Sequence, residues 1–154
     1  MTEKIKSLLK NYKDIRGRTI KFLESVPEDK WTWSPGELLG TFGMQIRHMA
    51  NSENCYIEGI KKKKIDFEQK TFGKELEEDK RKAVEKLKEL DDELLKAIES
   101  FNPEEKITFV DGVSGTSEEE IEDIINYLIE HEFYHQGIFT CYGRLAGMGK
   151  FLFM

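Results

Sequence analysis

Four long segments of this chain repeat apolar residues every three or four positions, a spacing that suits a helix with one buried face. The first runs from about Thr2 to Ser25, with Ile5, Leu8, Leu9, Tyr12, Ile15, Phe22 and Leu23 on the stripe, and Val26-Pro27 ends it. Ser34-Pro35-Gly36-Glu37 supplies a capping serine, a proline fit for the first turn and a glutamate that reaches back. A second helix is therefore expected to open there and to run to the lysines at 61–64. The third covers Lys74 to Phe101, striped by Leu76, Ala83, Leu87, Leu90, Leu94 and Ala97, and Pro103 stops it. Asn102 to Thr116 reads as a long loop with one extended turn at Ile107 to Val110. Ser117 with Glu120 reads as the capping box of a fourth helix, which continues to about Leu145 before Gly147 and Gly149. Helices with one apolar stripe bury it against one another, so the expected fold is all-α, an antiparallel four-helix bundle forming a single domain over residues 1–154.

Length and charge narrow the function. A chain of 154 residues supports one core and one site. The net charge of -6 opposes a nucleic-acid partner, which needs a positive surface to displace counterions. Charges from Glu3 through Arg18 interrupt the first helix, and no later apolar run is long enough for a bilayer, so neither a signal peptide nor a membrane partner is expected. Lys61 to Lys64 fall at a helix end, where a solvated cationic run complements the helix dipole. Cys55 and Cys141 lack metal-finger or redox spacing and read as two reduced thiols of a cytoplasmic protein.

The polar residues that interrupt the expected stripes carry the functional signal. On the fourth helix the stripe reads Ile124, Tyr127, Leu128, His131, His135, Ile138, Tyr142 and Leu145, with two histidines one turn apart. On the second, Thr41, Met44, Gln45, His48, Ser52 and Cys55 share a face expected to point inward, with His48 at its centre. Two histidines at i and i+4 can reach one ion, and a third from a facing helix completes three ligands with a position left open for water or substrate. The chain has three histidines, and all are used: His48, His131 and His135 are the expected ligands of one divalent metal in the core. A lone histidine is more simply a core residue bonded to a neighbouring carbonyl; three converging ones favour metal. Zn or Ni is the expected ion, with Fe, Mn, Co and Cu as alternatives that imidazole ligands also accept.

His131-Glu132-Phe133-Tyr134-His135 also fits the H-E-x-x-H pattern of zinc proteases, in which the glutamate is the general base. The downstream third ligand of those enzymes is missing, so Glu132 is read as a group supporting the ligands or as a base toward water activated by the ion. Gln45, within a turn of His48, is a candidate to orient a ligand, and Tyr134 a candidate donor to developing negative charge.

Three segments resemble the DinB/YfiT-like superfamily: Leu38 to Ala50, His131-x-x-x-His135-Gln136-Gly137, and Arg144-Leu145-x-Gly147. The resemblance implies an up-down-down-up-type four-helix bundle, commonly a homodimer, with a metal held by one histidine of the second helix and two of the fourth. These correspond to His48, His131 and His135. Relatives of that superfamily include bacillithiol S-transferases and mycothiol-dependent maleylpyruvate isomerases, so a low-molecular-weight thiol is an implied co-substrate. The expected function is thus a thiol-dependent S-transferase acting on a small electrophile. The alternatives are a metal-dependent hydrolase, or a non-catalytic protein that binds a metal or small ligand in a stress response.

Overall fold

In the computed structural model, which describes residues 1–149, the first helix, α1, spans Glu3–Ser25 and opens on Thr2, whose Oγ1 accepts from the Ile5 amide at 3.2 Å. Residues 150–154, which the expected domain includes, lie outside the described residues. Five core positions of α1 (Ile5, Leu9, Tyr12, Ile15 and Leu23) are each at most 5% exposed, as the spacing requires.

The second helix, α2, spans Phe42–Lys62 and does not begin at Ser34. Ser34 Oγ accepts from the Gly36 amide at 3.2 Å and donates to the Gly36 carbonyl at 2.6 Å, which closes a local turn. Such self-bonding competes with capping. The helix starts only after Gly40, at φ +73, with Thr41 Oγ1 accepting from the Met44 amide at 3.1 Å. Its end at the lysines is as expected, with Lys63 in the left-handed region at φ 58. The core face of α2 also differs from the expected one. Phe42, Ile46, Met49, Ala50, Ile57 and Ile60 are buried, whereas Met44 and His48 are exposed and Ser52 is half-buried. The more apolar stripe takes the core, and the polar one through His48 faces outward to a groove.

The expected third helix is two, α3 at Lys74–Glu78 and α4 at Lys80–Ser100. Asp79 between them is extended, and its side chain caps α4 by accepting from the Lys82 amide at 3.0 Å, the geometry for which a short acid is preferred over a helix interior. The all-α expectation is amended by a small sheet. Strands β1 (Lys64–Ile65), β2 (Ile107–Asp111) and β3 (Gly115–Glu119) lie in that order, β1 parallel to β2 and β2 antiparallel to β3. Ser117 therefore pairs with Phe109 across the hairpin and caps nothing. The cap of the last helix, α5 (Ile121–Leu145), is Glu120 in a reciprocal box with Asp123.

α1 packs on α5 and α4, and α2 on α4, α3 and α5. Phe22, Phe42 and Phe139 join α1, α2 and α5, with ring centroids 5.6 to 6.1 Å apart. Trp31 is buried in the same core, and Trp33 packs edge-on against Tyr142 at 6.2 Å. Cys55 and Cys141 are both free thiols. Among the described residues, no helix is long and apolar enough to cross a membrane.

Candidate metal centre

His48 comes from the outward stripe of α2; His131 and His135 come from successive turns of α5 where the two helices meet. His131 Nε2 lies 3.0 Å from His135 Nε2 and 3.4 Å from His48 Nε2, and the donor atoms of all three fall within 4.8 Å of one another. Two nitrogens bound to one ion at ~2.0–2.1 Å stand about 2.9 Å apart in octahedral geometry and about 3.3 Å apart in tetrahedral geometry. The separations match ligands of a single ion. Hydrogen bonding explains them less well, because His131 Nε2 would serve both contacts as sole acceptor. The donor set therefore fits a divalent metal, and His48, His131 and His135 could hold one.

The cluster is graded in burial rather than enclosed in the core, which corrects the expected location. His135 is 1% exposed, His131 half-buried and His48 exposed, so the open side lies toward α2. Burial, then the neighbouring imidazoles, pushes His135 down to about 3 and His131 down to about 4; burial and then Arg47 lower His48. Neutral imidazoles are the form that ligates.

Two grooves reach the cluster. One of about 310 Å³ holds His48 with Arg47, Ser52, Cys55 and Lys70. The other, of about 530 Å³, runs from the β2–β3 hairpin to His131 and Tyr134. A larger cleft of about 670 Å³, between Lys63 and Lys96, touches none of the histidines.

The three further sequence candidates are separated. Gln45 is half-buried, and its amide donates to the Leu39 carbonyl at 3.3 Å. Tyr134 is 66% exposed, with its ring 5.3 Å from that of His135. Glu132 is 1% exposed and turned to α1, where its Oε2 lies 3.6 Å from Arg16 Nε. Burial raises the Glu132 carboxyl against the opposing effect of Arg16.

Sequence reasoning missed the polar cluster that Glu132 joins. Arg16 Nη2 donates to Glu53 Oε2 and to the Tyr12 hydroxyl, both at 2.6 Å, and Arg16 Nε lies 3.2 Å from Asp91 Oδ1. Glu53 was findable, since it falls on one stripe with Ile46, Met49, Ala50, Ile57 and Ile60. Gln136, one turn beyond Glu132, donates to the Ile15 carbonyl and to Thr19 Oγ1, both at 3.0 Å.

The helical fold and its three converging imidazoles define a helical protein with a candidate metal centre near its surface. The model of the DinB family matches residues 1–152, and the chain belongs to that family. The chain is also similar in fold to a crystal structure of a DinB-like protein, YjoA, from Bacillus subtilis. That match has a TM-score of 0.69 and 18% identity, and it covers 94% of each chain. No curated protein matches the sequence.

Proposed function

We propose that this protein is a metal-dependent S-transferase, in which the three-histidine centre binds one divalent ion, Zn or Ni foremost, and a low-molecular-weight thiol reacts with a small electrophile. The observation that carries the reading is the convergence of three Nε2 atoms at ligand spacing beside two open grooves. An ion held there lowers the pKa of a coordinating thiol toward neutrality.

The chain's own residues supply placement. Lys70 and Arg47 give the His48 groove a cationic rim suited to an acidic thiol, although Arg47 is also paired with Glu77. Gln45 fixes the loop at Leu39 beside the start of α2. Tyr134 stands at the other groove with its hydroxyl available to a developing negative charge. The burial of Glu132 against Arg16 favours a supporting role on α5 over that of a base acting on water, and so favours transfer over hydrolysis.

The reading takes the four long helices as an antiparallel bundle in one domain, 1–154, acting in the cytoplasm as a homodimer. Turnover of metal-loaded protein with thiols plus alkyl or epoxide electrophiles, compared with simple esters and amides, tests it. Thiol consumption that requires the metal supports transfer. Ester or amide cleavage without any thiol consumption contradicts it, and saturable binding with no turnover points to the non-catalytic alternative.

A further inference from the structure

We infer that the groove between the β2–β3 hairpin and α5 recognises a small molecule that carries an ammonium group on an aryl or alkyl body, for which phenethylammonium is the minimal probe. The inference rests on the proposed centre for what is done to that molecule and on the groove's own composition for its recognition. At about 530 Å³ the groove has room for a small ligand, and His131 is among the residues that line it.

Its wall is aromatic. Phe109 of β2 stands 5.2 Å from Tyr127 and 6.4 Å from Tyr56, ring centre to ring centre, and Tyr134 closes the side toward His135. Such faces are attractive to an alkyl chain and, through their quadrupoles, to an ammonium group.

Its charge has one sign. Asp111, Glu119 and Glu130 line the groove, and no lysine or arginine does. Among the described residues none of the three forms an ion pair. The Glu119 carboxylate accepts from Ser117 Oγ at 2.5 Å. Asp111 accepts from the Val113 amide at 2.9 Å at the hairpin turn. Carboxylates set beside aromatic rings concentrate cations and repel anions. The contrast with the His48 groove, rimmed by Arg47 and Lys70, separates the two substrates by charge on either side of the cluster.

The test titrates the full chain, metal-free and zinc-loaded, with phenethylammonium, phenethyl alcohol and phenylacetate at low ionic strength. Binding is followed by calorimetry and by NMR shifts of Phe109 and Tyr127. We expect phenethylammonium to bind at least about fivefold more tightly than phenethyl alcohol, and phenylacetate most weakly, in both forms of the protein. Glu119→Gln with Glu130→Gln should abolish that order while leaving phenethyl alcohol binding intact. Phenylacetate binding the metal-free protein as well as the ammonium does, an order unchanged in the double variant, or no binding of any probe would each overturn the inference. Failure of the protein to take up zinc, with the ammonium preference intact, would instead overturn the metal reading and leave the groove's specificity standing.

Discussion

Arg16 of α1 and Glu132 of α5 stand 3.6 Å apart, both nearly wholly buried, and Glu132 is the chain neighbour of the cluster histidine His131. The same guanidinium bonds Glu53 of α2 at 2.6 Å and approaches Asp91 of α4 at 3.2 Å, so one cation ties the four long helices together. Removing it strands the Glu53 and Glu132 carboxyls out of water and leaves the part-exposed Asp91 without its cation. Arg16→Met should cost about 3–5 kcal/mol, read from urea unfolding of the metal-free protein. A loss under about 1 kcal/mol would show that the cluster relaxes as a surface pair does.

The pH dependence of stability carries a signature of that cluster. Burial of three carboxyls around one guanidinium raises them, and Glu53 is pushed up to about 8. The folded state then holds a proton that the unfolded chain releases near its ordinary value of about 4.3. Stability from this group is full below that value and is lost as pH rises through about 8. Folding lowers all three histidines, so they are neutral in both states only above about pH 7.5, one unit past their ordinary value. The decline from about pH 7.5 through about 8 therefore belongs to the buried carboxyls. Glu53→Gln should flatten it, measured as urea midpoints across that range; a parallel decline in the variant would assign it elsewhere.

Gly43, in the first turn of α2, leaves no room for a side chain: a Cβ there would lie 2.0 Å from the Glu77 carbonyl oxygen of α3. Gly→Ala inside a helix ordinarily stabilises by close to 1 kcal/mol. Here the contact is with backbone, so α3 must move, and Gly43→Ala should instead destabilise by roughly 1–3 kcal/mol. A rise in melting temperature would contradict the close packing of α3 on α2.

Much of the helical framework was legible because apolar spacing reports burial directly. Ile5 through Leu23, Leu87 through Ala97 and Ile124 through Tyr142 contain the core positions that the stripes indicated. The errors arose where local chemistry had two outcomes. Ser34 bonds within its own turn, Asp79 interrupts a continuous helical pattern to cap α4, and Ser117 joins a strand whose polar sequence carries no alternation. β3 forms because β2, joined to it by the short turn at 112–114, supplies its backbone partners, a cause that lies outside residues 115–119 themselves. The imidazoles were identifiable as chemistry before their setting was known. Their nitrogens meet, yet the α2 face bearing His48 opens to a groove, because Phe42, Ile46 and Met49 compete better for the core. The Arg16 cluster stayed hidden because a charge on a stripe looks solvated until partners from other helices are placed beside it.

Elemental analysis of untagged protein, on the purified chain and on His48→Ala and His135→Ala, addresses the metal centre most directly. We expect one divalent ion per chain in the parent and substantial loss in each variant, with helical circular dichroism unchanged. Full stoichiometry retained in both folded variants, or none in the parent after loading with zinc and nickel, would contradict it.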